Sequence, residues 1–196
     1  MPSQTTNSAA DPQFDLAADA GGAPPVTIPS PSPHARAQAC AAAGDYVTAA
    51  EMFAAAVARA PEDVDALIGH AGSLLGLGQY AAGEREIRRA LRIAPNRADV
   101  HLQLGLALYK RATYSPAALA FRRTLELDPD SSNARILLGE TLCHLGETSE
   151  AIEHLERVVA GEPSPRVFYA LGLAFDRSGQ PDRAAAMYRR SREDRN

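Results

Sequence analysis

The chain has 196 residues, of which 45% are apolar and 22% charged, and its net charge is −4. That length and apolar content suffice for one domain with a substantial core, and neither a basic excess for nucleic acid nor an acidic, solvating excess is present. Two cysteines, Cys40 and Cys143, are too few for a disulfide framework and fit no metal-ligand spacing. A reduced, cytoplasmic setting is therefore expected. The start, MPSQTTNSAADPQFD, has no basic segment and no apolar run, so it does not read as a secretory signal, and no stretch is long enough to insert in a membrane.

Residues 1–32 differ in composition from the rest. They are rich in Pro, Ala and Ser, end in GGAPPVTIPSPS, and carry Asp11, Asp15 and Asp19 with no Lys or Arg. Proline removes donors and blocks helix, so a disordered tail is expected. It is either an inert leader or a linear interaction segment with Phe14, Leu16, Val26 and Ile28 as its available anchors.

From residue 33 a period takes over. Pro61, Pro95, Pro129 and Pro163 are each 34 residues apart. Gly44-Asp45-Tyr46, Gly78-Gln79-Tyr80 and Ala112-Thr113-Tyr114 recur in step with them, followed more weakly by Gly146-Glu147-Thr148 and Gly179-Gln180-Pro181. A fixed period of this length marks a repeat architecture. In chain order the pattern predicts helices over 34–43 and 47–59, 63–77 and 81–93, 98–111 and 115–126, 132–145 and 148–160, and 165–178 and 182–193. The repeats fall at about 33–62, 63–96, 97–130, 131–164 and 165–196, the fifth arriving one residue early. Ser115 before Pro116 reads as a helix cap followed by a first-turn proline, with Thr148 and Asp182 in similar parts. Small residues recur in the first helices (Ala37, Ala71, Gly105, Gly139, Gly172) and in the second (Ala49, Gly83, Ala117, Ala151, Ala184). Four positions after the latter come Phe53, Ile87, Phe121, Leu155 and Tyr188. Helices approach closely only where side chains are small, so large residues beside them are expected to fill the space between hairpins.

These coincident features, over about 160 residues, resemble the tetratricopeptide repeat family. The family's early Trp is replaced by Leu67, His101, Arg135 and Phe168. The resemblance implies an all-α, right-handed superhelical solenoid of five helix-turn-helix hairpins, with first helices lining a concave side. Terminal repeats are often atypical. The first hairpin is the weakest match, and after the fifth either Arg189, Arg190 and Arg192 solvate the end or another subunit covers it.

The resemblance also implies a partner-binding groove. Its lining is expected to include Ile68, Gly72 and Leu75 from the second hairpin and Leu102, Leu106, Tyr109 and Lys110 from the third. Asn133, Ile136 and Glu140 follow from the fourth, and Tyr169, Leu173 and Arg177 from the fifth. Ile68, Leu75, Leu102, Leu106 and Ile136 would make a contiguous apolar patch of the kind that marks an interaction site, unless the chain's own tail or a twin subunit covers it. Three such anchors would contribute roughly 5–9 kcal/mol before ordering costs. The family's grip on a terminal carboxylate needs cations where this chain has His34, Gln38, Gly69, Asp99 and Gln103, so that mode is not expected.

Other constellations are weaker. Arg85, Arg88, Arg89, Arg92, Arg97, Arg122 and Arg123 lie mostly on second helices, diluted by Glu84 and Glu86 and without interleaved aromatics, which reads as a solvated face and not a nucleic-acid stripe. Glu140, Cys143 and His144 share one helix, but no motif places the further ligand that a metal site needs. No nucleophile elbow, phosphate-cradling loop or paired-His motif occurs, so no enzyme activity and no cofactor are expected. The expected role is that of a bacterial adaptor or chaperone-like protein that docks a protein segment. A self-assembling scaffold and an accessory solenoid for an enzyme on another chain are the alternatives, and fold alone does not choose among them.

Overall fold

The computed structural model describes residues 32–193; the expected tail lies outside the described residues, save Ser32. Ten helices follow one another: α1 (Pro33–Ala42), α2 (Tyr46–Arg59), α3 (Val64–Gly76), α4 (Tyr80–Ile93), α5 (Ala98–Lys110), α6 (Tyr114–Leu127), α7 (Ser132–Leu145), α8 (Thr148–Gly161), α9 (Pro165–Arg177) and α10 (Pro181–Glu193). Each bound falls within one residue of the position that the period predicts. Every helix packs on the next in sequence. In addition α1 touches α3, α3 touches α5, α5 touches α7 and α7 touches α9, while no two second helices touch among the described residues. First helices thus converge on the inner side of a helical repeat solenoid, and second helices splay on the outer side.

The small-to-large pairing holds the hairpins shut. A Cβ added to Gly105 would fall 2.5 Å from the Phe121 ring, one on Gly139 2.7 Å from Leu155, and one on Gly172 2.6 Å from the Tyr188 ring. Ala37, Ala49, Phe53, Ala71, Ile87, Ala117, Phe121, Ala151, Leu155 and Ala184 are all buried. The Phe53 ring also crosses to the next hairpin, where it lies on Gly69.

Capping differs from expectation. The N-cap of α6 is Thr113, not Ser115, and it makes no side-chain cap; its hydroxyl donates instead to the Leu108 carbonyl at 2.8 Å. Thr148 and Asp182 likewise sit inside the first turns of α8 and α10. The side chains that accept from first-turn N–H groups are those of Ser32, Asp45, Asp63, Ser131 and Ser164, four of them before first helices. All five intra-hairpin turns use a left-handed residue: Gly44, Gly78, Gly146, Gly179 and, in the third hairpin, Ala112 at φ 58°.

Neighbouring hairpins are also laced by polar contacts. Arg122 reaches Glu150 at 2.9 Å, Arg183 reaches Glu156 at 2.9 Å, and Arg123 reaches Asn96 at 3.1 Å. Buried Glu84 takes both Arg88 and Arg111; burial opposes its ionisation, but the two guanidinium groups outweigh that and hold its carboxyl below the usual range. At the last hairpin, Arg183 stacks 3.9 Å from the Phe175 ring centre and Arg190 4.1 Å from that of Phe168. Arginine stems and planes therefore cover apolar rings there.

Three outcomes test this packing. Ala112→Gly should raise stability by about 0.5–1 kcal/mol, because removing a left-handed cost of roughly 1–2 kcal/mol exceeds the roughly 0.4–1 kcal/mol gain in unfolded-chain entropy. Gly105→Ala should lower stability by about 1–3 kcal/mol through overpacking on Phe121, despite alanine's better helix propensity. By contrast, Gly72→Ala, where an added Cβ meets nothing within 4 Å, should gain about 0.5–1 kcal/mol. Urea midpoints for the three variants check the signs.

Candidate functional site

Contacts across the inner face set the helices' relative direction. Arg97, before α5, bonds Asp65 at the start of α3 at 2.7 Å. Arg177, ending α9, donates to the Cys143 carbonyl near the end of α7. First helices therefore lie in parallel, with one rim made of their N-terminal ends and one of their C-terminal ends.

Three hollows lie on this face. The first is lined by His34, Gln38, Asp65, Ile68, Gly69 and Asp99. Arg97 bridges Asp65 and Asp99, and its hydrogen bonds hold the Asp99 carboxyl below the usual carboxylate range. Four of the five positions of the family's carboxylate grip thus border an acidic hollow. The second is lined by Tyr46, Gly72, Leu75, Gly76, Tyr80, Gln103, Leu106 and Lys110. There the Tyr46 ring lies so close over Gly76 that a Cβ would meet it at 2.5 Å, and Gln103 Oε1 is buried with no protein hydrogen-bond partner.

The third hollow is a cavity of about 220 Å³ between α5, α7 and α9, lined by Tyr109, Glu140, Cys143, His144, Tyr169, Ala170, Leu173 and Arg177. The His144 ring stacks parallel on Tyr114 at 4.3 Å, and its Nε2 lies 3.4 Å from the Tyr109 hydroxyl. Arg166 forks onto both Glu140 oxygens at 3.1 Å. Burial pushes the Tyr109 phenol and the Cys143 thiol up and the His144 imidazole down. Beside the cavity, burial and then the 2.8 Å bond to Asp176 push the Tyr188 phenol up to about 12. Glu140 and His144 are thus committed to protein partners, the thiol is held protonated, and among the described residues no three His, Cys, Asp or Glu side chains are grouped to hold a metal. What the cavity can do is seat an apolar side chain between two phenols and offer hydrogen bonds at its edge.

The expected lining residues divide accordingly. Tyr109, Glu140, Tyr169, Leu173 and Arg177 meet at the third hollow, Gly72, Leu75, Leu106 and Lys110 at the second, and Ile68 at the first. Asn133 is exposed on the N-terminal rim. The contiguous exposed apolar patch is not there. Leu75 and Ile136 are each only 8% exposed, and half-buried Ile68, Leu102 and Leu106 pack against the cores. Convergence of the first helices buries them, so they form a floor, and Tyr169, 53% exposed, supplies the open apolar surface. Sequence reasoning missed the turn tyrosines Tyr46, Tyr80 and Tyr114. Their recurrence was visible, but not that Tyr46 and Tyr114 lean onto the end of the next first helix, thirty residues on, at Gly76 and His144, while Tyr80 borders the same hollow as Lys110.

A sequence profile described as tetratricopeptide repeat matches residues 41–107 and 108–174, and another of that description matches 167–195. The chain belongs to the tetratricopeptide repeat family. As a tetratricopeptide repeat protein it has similar solved structures. One described as MamA shares 21% identity, with a TM-score of 0.69 over 81% of this chain and 94% of that one. A thermophilic TPR protein of Thermus thermophilus, TTC0263, shares 22%, with 0.71 over 83% and 89%. YrrB, described as a TPR protein with an unusual peptide-binding site, shares 20%, with 0.65 over 79% and 80%. Likeness at these identities establishes the fold alone. No curated protein sequence matches this chain. Tetratricopeptide repeats are protein-interaction domains, so this chain carries a domain of that kind.

Half-buried His70 and His154 and the exposed, stacked His144 give this repeat array a pH dependence. Burial lowers His70, His144 and His154 below their usual value of 6.5. The unfolded chain then binds more protons than the folded one, so their contribution is full above 6.5 and is lost as pH falls toward the lowered folded values. The urea midpoint should therefore drop between about pH 7.5 and pH 5, and His70→Asn with His154→Asn should flatten that slope. A flat wild-type profile across this window would contradict the assignment.

Proposed function

We propose that this protein is a cytoplasmic adaptor or chaperone-like protein of a bacterial cell that binds an extended or helical segment of another protein along its inner groove, without chemistry. The observation that carries this reading is the cavity between Tyr109 and Tyr169 with Tyr169 standing exposed at its mouth. Exposed tyrosine beside a desolvated pocket is the composition of binding hot spots, since it offers much contact area for little lost rotamer freedom. The volume supports a side chain over a small molecule, being below the roughly 300–1,000 Å³ of ligand pockets. Among the described residues no helix is long and apolar enough to cross a membrane. The outer arginines also fit a protein-binding role better than a nucleic-acid one, because Arg88, Arg89, Arg122 and Arg123 all pair with glutamates.

Because Leu102 and Leu106 hold the array together, charge at those positions would disturb the fold, and exposed positions make the better probes. A photo-crosslinking phenylalanine analogue placed at Tyr169 should trap a partner in the native cell, while one at Leu119, 66% exposed on α6, should not. Trapping from Leu119 alone, or equally from both, would move the binding surface to the second helices. A trapped twin of this chain would replace the adaptor by a self-assembling scaffold.

A further inference from the structure

The groove's rims carry charge in a pattern that the hollows alone do not explain. On the N-terminal rim, equivalent positions of α3, α5, α7 and α9 hold Asp65, Asp99, Asn133 and Arg166. Their charges are largely satisfied: Arg97 takes both aspartates, and Arg166 is taken by Glu140. The C-terminal rim differs. Equivalent last-turn positions of α5, α7 and α9 hold Lys110, His144 and Arg177. Lys110 and Arg177 are both exposed, and no described carboxylate stands in salt-bridge contact with either. Cations there complement the helix dipoles, but that would be served on any face. These two instead border the second and third hollows, Lys110 the second and Arg177 the third, which is the Tyr109–Tyr169 cavity.

We infer that the segment this groove takes is acidic: an extended stretch of another protein with an aromatic or branched aliphatic anchor in the Tyr109–Tyr169 cavity and flanking carboxylates on Lys110 and Arg177. This rests on the groove reading proposed above. Lys110 and Arg177 lie two hairpins apart, and first-helix axes in contact are about 8–10 Å apart. Roughly 16–20 Å of extended chain, at about 3.3 Å per residue, places the two carboxylates five or six residues apart with the anchor between them. A phosphate backbone meets the same cations, but it has no side chain for the cavity. The recognised acids are internal side chains, met at the last turns of the first helices. A terminal carboxylate is not required.

The test is selection of a random dodecapeptide library, displayed with its C-termini fused so that no free carboxylate is present. The selected peptides should be enriched in Asp and Glu flanking Phe, Leu or Ile. A selected peptide, labelled and titrated by fluorescence anisotropy, should bind at least tenfold more weakly to the Lys110→Glu, Arg177→Glu protein, and less so to Lys110→Gln, Arg177→Gln. Circular dichroism should keep its helical signature in both, since the two side chains are exposed, and the Gln protein, which also loses the Arg177 bond to the Cys143 carbonyl, separates that loss from the effect of charge reversal. Charge reversal should also shift selection toward Lys- and Arg-containing peptides. Selected peptides without acid excess, or ones that bind the reversed protein equally well, overturn the acidic assignment. Peptides of that kind that still cross-link at Tyr169 leave the groove reading intact. No selected peptide together with no cross-link at Tyr169 sinks both. A labelled single-stranded oligonucleotide that binds and is lost on charge reversal overturns the proposal in favour of nucleic acid. A concentration-dependent dimer in sedimentation that charge reversal abolishes overturns it in favour of a second copy.

Discussion

The structure depends on one steric constraint: within a hairpin, a large side chain from the second helix rests directly on a side-chain-free backbone in the first. Phe121 on Gly105, Leu155 on Gly139 and Tyr188 on Gly172 repeat this contact with closest approaches that leave no room for a methyl group. Helix axes can come that close only where one partner has no Cβ in the way. Dispersion and burial at the contact are then gained at near-crystalline density, and any added volume meets the large side chain already in place. Repetition at a fixed period does the rest. The contact recurs in the last three hairpins, with Ala37 and Ala71 in the matching places of the first two, and in such an array each hairpin adds a small increment of rotation to the next.

That increment determines where function can sit. Because first helices touch one another and second helices do not, the inner face is crowded and the outer face open. Crowding buries the mid-helix leucines and isoleucines, which leaves the helix ends to carry polarity. At the N-terminal ends, caps and Asp65, Asp99 and Arg97 form a self-satisfied network. At the C-terminal ends, the turn tyrosines fold over the next first helix and build aromatic walls, as Tyr114 does on His144. The chemistry of the inner face thus follows from the packing: an apolar floor, phenolic walls, and charges on the rims where water still reaches them.

Helix positions were legible because proline and glycine punctuate the chain at fixed phase, and both act through local backbone sterics that no tertiary context overrides. The small-to-large register was legible for a related reason, since two features four residues apart on a helix share a face. Caps were less so. Ser115 next to Pro116 is a good local signal, but α6 begins at Tyr114, and the Thr113 hydroxyl is drawn back to the Leu108 carbonyl. Burial on the inner face was not legible at all. Whether Leu75 or Ile136 is exposed depends on how far neighbouring first helices converge, which is a property of two repeats and not of one. For the same reason the turn tyrosines were visible as a recurrence and silent as to role, because their partners lie thirty residues away in the next unit.

In a linear array, stability is local, and the placement of the cavity follows it. The apolar side chains fall into three clusters. A small one built on Ala37, Ala49 and Phe53 holds the first hairpin, a second spans α2 to α5, and the largest spans α5 to α10. Half-buried Leu104 and Leu106 pack against both larger clusters, which makes α5 the joint between them. Local opening is least costly where few apolar contacts are lost, so the first hairpin frays before the rest. The acidic first hollow, which draws His34 and Gln38 from α1, therefore rests on the least stable unit. The Tyr109–Tyr169 cavity draws on α5, α7 and α9, all within the largest cluster. A site that holds a side chain in a fixed slot loses less ordering entropy when its walls are already fixed. The part of the array with the largest cluster is thus also the part with the exposed tyrosine and with rim cations that no described carboxylate pairs.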